Sequence, residues 1–142
     1  MATCSEVFQN EEFDFSGEPV VNRKKTMRKV LKALAEYRRC KRELSEVDKQ
    51  RMEEAIRNDH YGDLIGTNIY KQYKNIWKLE YALKHALNAF EREIIEEGYL
   101  TKEKHNWVRM TMKLKVSKTT YYKGRREAFS RLAHALGIVV YD

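Results

Sequence analysis

Proline and cysteine are almost missing from this chain, which has one proline and two cysteines in 142 residues. With proline that scarce and 35% of residues charged, the composition predicts a helix-rich, well-solvated protein. Cys4 and Cys40 stand far apart, which is no disulfide framework, and a reducing cytoplasm suits them. Missing too is any run of about 18 apolar residues, so no membrane span is expected. The first residues lack the basic-then-apolar order of a secretion signal. Enzyme chemistry also finds little to use. No glycine-rich loop is present to cradle a phosphate, and no nucleophile elbow. His60, His85, His105 and His134 are too far apart for a standard metal motif, and neither cysteine joins them at ligand spacing. A non-enzyme without metal or cofactor is the expectation. The 42% of apolar residues suffices for one core of ordinary size.

Positive charge is what the chain has in excess, +7 overall, and its layout is informative. Residues 1–22 carry five acids and no Lys or Arg, residues 23–51 twelve bases against four acids, residues 52–100 six against nine, and residues 101–136 ten against two. Two basic blocks therefore flank a mildly acidic middle. A polyanion such as nucleic acid is the partner that suits such blocks, although Lys and Arg also simply solvate helix faces.

Taken in order, the acidic stretch 1–22, with Phe8, Phe13 and Phe15, reads as an extended arm or docking segment. A basic helical region spans 23–62. Its first helix runs from roughly Thr26, as cap, to Glu43, with the apolar stripe Met27, Val30, Leu31, Leu34, Ala35 and Tyr37. Ser45-Glu46-Val47-Asp48 resembles a capping box and opens a short helix to about Asn58. The turn-rich Asn58–Asp63 marks a boundary between this N-terminal helical hairpin and a C-terminal unit, 63–142. There the longest candidate helix covers Asn68–Glu97, with Gly98 ending it. Its seam of Ile76, Leu79, Leu83, Leu87, Phe90 and Ile94 serves either a core or a coiled-coil dimer interface.

The last third reads as a helix-turn-helix. Thr101 or Asn106 caps a helix through Trp107, Val108, Met110, Met112 and Leu114, and Leu114-Lys115-Val116 turns tightly into Ser117, an N-cap residue type. From there to the helix-ending Gly137, the apolar positions Tyr121, Ala128, Phe129, Leu132, Ala135 and Leu136 keep helical spacing. The opposite side carries Lys118, Thr119, Tyr122, Lys123, Arg125, Arg126 and Arg131, as a helix laid in a DNA major groove requires. The fold expected is all-α, a helical hairpin plus a C-terminal bundle.

Ser117 to Leu132 resembles the recognition half of the promoter-binding helix-turn-helix of sigma factors, the region 4 type. Thr120-Tyr121-Tyr122, Arg126-Glu127-Ala128 and Leu132-Ala133-His134-Ala135-Leu136-Gly137-Ile138 make the combination similar to the ArpU family of phage transcriptional regulators. The Thr26…Val30…Leu34…Tyr37-Arg38…Lys41 pattern resembles that family's opening helix. The resemblance implies control of late bacteriophage genes, in a bacterial host cytoplasm, through a sigma-like DNA-binding domain. Two residues depart from the pattern. Gly124 lies inside the recognition helix, where glycine costs about 1 kcal/mol relative to alanine; it would allow either close approach of the first helix or a kink. Phe129 is bulkier than the leucine expected there.

In such a helix the N-terminal turns reach base edges. Lys118, Thr119, Tyr122, Lys123 and Arg126 are therefore assigned to bases or nearby phosphates, with Ser117 at the helix start. Lys113, Lys115, Arg125 and Arg131 are assigned to phosphates. The leading expectation is a sequence-specific regulator, an activator, bound to double-stranded DNA at a late promoter. Two others stand beside it: a DNA-recognition subunit of a packaging machine, small-terminase-like and multimeric, and a module acting on host RNA polymerase without touching DNA.

Overall fold

The computed structural model describes residues 20–59, 62, 66–101 and 103–142, and these are all-α. The helices are α1 (Arg23–Glu43), α2 (Glu46–Arg57), α3 (Asn68–His85), α4 (Ala89–Tyr99), α5 (Trp107–Leu114) and α6 (Lys118–Leu136). The acidic stretch 1–22 lies outside the described residues up to Pro19, as do His60, Tyr61 and Asp63 of the turn-rich boundary.

The start of α1 differs from expectation. Asn22, not Thr26, is the cap, accepting from the Lys25 amide at 3.0 Å. Thr26 sits one turn inside and is buried. Its hydroxyl donates to the Val140 carbonyl at 3.3 Å and accepts from the Val140 amide at 3.0 Å. The buried stripe is thus Thr26, Val30, Leu34, Tyr37 and Cys40, while Leu31 and Ala35 face outward. Ser45 caps α2 as expected, accepting from the Asp48 amide at 3.1 Å. α1 packs on α3 and α6, and α2 packs on α3. One apolar core therefore runs across residue 62, joining Val30 and Leu34 to Leu79, Leu83, Phe129 and Leu132.

The long helix expected over Asn68–Glu97 is two helices. Asn88 breaks it with a reciprocal capping box: its side chain accepts from the Glu91 amide at 2.8 Å, and the Glu91 carboxylate accepts from the Asn88 amide at 3.1 Å. Arg92 closes the preceding end, its Nε donating to the Leu83 carbonyl at 2.9 Å and Nη2 to the Lys84 carbonyl at 3.2 Å. The apolar periodicity continues across the break, which is why it conceals it. Ile76, Leu79, Leu83 and Leu87 face α1 and α6 in the larger core, whereas Phe90 and Ile94 join Met110 and Tyr121 in a smaller one. The seam is covered by its own chain, so it is a core seam and not a dimer interface. Gly98 does not end α4 either; it is buried within it against Met110 and His105, and the helix runs on to Tyr99.

The C-terminal elements match the expected boundaries closely. Asn106 caps α5, accepting from the Val108 and Arg109 amides at 2.9 and 3.3 Å, while Thr101 bonds back to the Glu97 carbonyl. Lys115 takes the left-handed conformation (φ 58°, ψ 46°) that makes the turn, and Ser117 caps α6 with a 3.1 Å bond from the Thr120 amide. Gly137 (φ 69°, ψ 32°) ends α6. Of the expected apolar set, Tyr121, Ala128, Phe129 and Leu132 are buried, Leu136 is half-buried and Ala135 is exposed.

α6 is the element the others share, packing on α5, α4, α1 and α3. Its first half meets α4 and α5 across the smaller core, and its second half meets α1 and α3 across the larger one. Gly124 is buried at the crossing with α4. A Cβ there would lie 2.5 Å from Phe90 Cε2 and 2.9 Å from Ile94 Cδ1. α6 is unbroken through this position, so the glycine serves close approach rather than a kink, and the approaching helix is α4, not the first helix of the turn pair. Gly124→Val should therefore lower unfolding free energy by about 1–3 kcal/mol, read as a lower urea midpoint at unchanged slope. An unchanged midpoint would mean that α4 and α6 do not meet this closely.

Candidate nucleic-acid interface

Packing decides which side chains of α6 remain available. With Tyr121, Gly124, Ala128 and Leu132 turned inward, Thr119, Lys123, Arg126 and Ser130 fall four, three and four apart on the outward side, and all are exposed. Lys115 and Ser117 in the turn and Lys118 in the first helical residue are exposed beside them. Lys115, Thr119, Lys123 and Arg126 have no side-chain hydrogen bond or ion pair among the described residues. Lys118 lies with its ammonium 4.3 Å from the centre of the Trp107 ring, and Tyr122 is half-buried against Tyr121.

Three of the basic residues assigned to phosphates have partners inside the protein. Arg131 pairs with Glu91, whose side chain is 1% exposed, so its guanidinium neutralises a buried carboxylate. Arg125 is half-buried, its guanidinium carbon 5.4 Å from the Phe129 ring, 5.5 Å from Tyr122 and 5.9 Å from Tyr99, with Nη2 3.8 Å from Met27 Sδ. Lys113 pairs with Glu97. Charge counting along the sequence could not separate these from Lys123 and Arg126, because Glu97 and Glu91 lie 16 and 40 residues from the bases they pair with, and the rings and sulfur around Arg125 are assembled only by the packed core.

Under the turn pair lies a stack of rings. Tyr99 and His105 stand 4.7 Å apart and nearly parallel, and His105 stacks in turn on Tyr121, with its Nε2 paired to the Tyr121 hydroxyl. Burial pushes the Tyr99 and Tyr121 phenols up from their ordinary values. Burial first, then the charges of Arg125 and Arg109, holds His105 below its ordinary 6.5. The stack seats the α4–α5 loop on the first turn of α6 and so orients the exposed stripe.

Two grooves adjoin these elements. One, of about 450 Å³, separates the start of α1 from the outward side of α6, with Arg23 and Met27 on one wall and Arg126, Ser130, His134 and Val139 on the other. Arg23 and Ser130 were not singled out from sequence; they line one groove because α1 packs on α6 and the chain ends pair through the Val21–Tyr141 bridge. The other groove, of about 970 Å³, lies among α1, α3 and α4, and Arg38, Lys41, Arg42 and Lys84 line it with Glu80 and Glu96. Tyr37 donates to Glu80 at 2.9 Å in its wall, and burial pushes that phenol up. Among the described residues no group of His, Cys, Asp or Glu is placed to hold a metal ion, and no helix is long and apolar enough to cross a membrane.

The chain matches no family model, no curated protein and no solved structure.

Two outcomes check this arrangement. Arg131→Ala leaves the Glu91 carboxylate buried without its cation and should cost about 1–3 kcal/mol of stability in urea unfolding; a neutral change would return Arg131 to the surface set. The His105 shift sets a pH dependence. The unfolded chain takes up a proton near pH 6.5 while the folded imidazole stays neutral. Stability from this group is complete above that value and is lost as pH falls toward the lower folded one. His105→Phe should flatten that part of the stability–pH curve; an identical curve would remove His105 as its source.

Proposed function

We propose that this chain is a sequence-specific DNA-binding regulator of transcription that lays the first half of α6 in a major groove. What supports the reading is the exposed stripe of Thr119, Lys123 and Arg126, without partners among the described residues, on the first half of a helix whose other side packs on α4 and α5. The major groove, about 12 Å wide, admits one helix, and there an arginine or lysine bonds guanine and a threonine meets a thymine methyl. Lys115 and Lys118, at and just after the turn, flank the stripe where phosphates run. Arg125 and Arg131 act beneath it as positioning residues, not as contacts. The resemblance of the sequence to ArpU-family regulators extends the proposal to late bacteriophage genes, activation at their promoters and action in the host cytoplasm without catalysis. RNA polymerase then becomes the natural second partner. Its contact is assigned to the basic side of α1 along Arg38 and Arg42, which lies apart from the α6 stripe.

Fluorescence anisotropy tests the central claim, with DNA from the chain's own genomic neighbourhood against scrambled DNA at several salt concentrations. Arg126→Ala should cost about 1–3 kcal/mol on the preferred fragment and relax its preference, whereas Lys115→Ala should weaken both fragments alike and lower the salt slope by about 1. Equal, steeply salt-dependent binding of both fragments would sink sequence reading and leave charge-driven contact.

A further inference from the structure

The groove between the start of α1 and α6 has a chemistry that DNA does not use. Met27, Phe129 and Val139 give it apolar walls, while Arg23 and Arg126 stand at it as cations against one acid, Glu127. A phosphate backbone would meet the cations and leave the apolar walls wet. The occupant that fits is acidic and aromatic together. Such a segment begins at the groove itself. Val21 lines the groove, and the chain there is held in place: the Asn22 amide donates to the Val140 carbonyl at 2.7 Å, and the Asp142 amide donates to the Val20 carbonyl at 2.8 Å. The nineteen residues that precede Val20 carry five acids, three phenylalanines and no Lys or Arg. Phe15 is five residues from Val20, a span of at most about 18 Å when extended, so tethering alone keeps it within reach. A short tether of this kind presents its segment at an effective concentration in the millimolar range.

We propose that residues 8–18 of this chain dock in the α1–α6 groove, with Phe13 or Phe15 on its apolar walls and Glu11, Glu12 and Asp14 against Arg23 and Arg126, and that this docking competes with DNA. Arg126 belongs to both surfaces, so the two occupants exclude each other. The segment is thus a built-in competitor that sets how much of the protein is open to DNA. The competition rests on the DNA-binding reading above; the docking does not.

The experiment uses the full chain. In methyl NMR spectra, replacing Phe13 and Phe15 by Leu removes the ring currents that the docked segment exerts. The Met27 and Val139 methyl signals should move while those of Ile56 and Val108, on α2 and α5, stay. A second variant, Glu11→Gln with Glu12→Gln and Asp14→Asn, goes into the anisotropy titration. A seated segment lowers the apparent DNA affinity by the fraction of time the face is open, so its release should tighten DNA binding several-fold. Unmoved Met27 and Val139 signals overturn the docking whatever the titration gives. Signals that move at Leu83 and Leu100 instead seat the segment in the α1–α3–α4 cleft and overturn it too. Shifts that grow with protein concentration assign the occupant to a second copy. Moved methyls with unchanged affinity overturn the competition. A chain that binds no DNA in either form overturns the regulatory reading while the moved methyls still establish the docking.

Discussion

Phe90 and Ile94 occupy the space where a side chain at position 124 would lie. That single close approach of α4 to α6 governs much else in the molecule. It buries the inner side of the first half of α6 and turns Thr119, Lys123 and Arg126 to the outside as one stripe. It also brings α4 near enough for Glu91 to reach Arg131 across the crossing, forty residues apart in sequence. Glycine is a poor helix former, by about 1 kcal/mol against alanine, and here the cost is offset by packing that no larger residue permits.

The second constraint is the handling of buried charge. Glu91 has almost no contact with water, yet it serves three ends: it caps its own helix through the Asn88 amide, it receives Arg131, and it anchors the corner between α3 and α4. Arg92, next to it, satisfies the carbonyls left open at the end of α3. Basic residues in this chain therefore divide into two kinds. Arg92, Arg125 and Arg131 hold the framework; Lys115, Lys123 and Arg126 are exposed and without a partner among the described residues. The ten bases of residues 101–136 are a poor measure of interface strength for that reason.

Closure of the chain ends adds a third element. The Val21–Tyr141 bridge and the paired hydrogen bonds between Thr26 and Val140 draw the start of α1 against the second half of α6. This makes a wall for the α1–α6 groove, with Met27 and Val139 facing it. It also holds Val20 and Val21 against the residues that follow α6. Arg126 thus stands both in the exposed stripe of α6 and at the edge of the α1–α6 groove, by the packing of α1 and not by proximity in sequence.

Those features written in short-range hydrogen bonds were legible without the structure. Ser45, Asn106, Ser117 and Gly137 each end or begin a helix through partners at most four residues away, so residue type and spacing suffice to place α2, α5 and α6. Asn88-x-x-Glu91 was written just as locally, but apolar residues continued in register through it and periodicity outweighed the cap. Thr26 looked like a cap because its partner, Val140, is 114 residues away. The sequence by itself determined an all-helical chain, the position of the turn between α5 and α6, and the concentration of basic residues around it. Only the tertiary structure decided which of those bases are spent on buried partners, which helix fills the space beside Gly124, and where the chain ends meet. Caps and turns are closed by atoms a few residues apart, whereas burial of an arginine or a glycine depends on helices that only the folded core brings together.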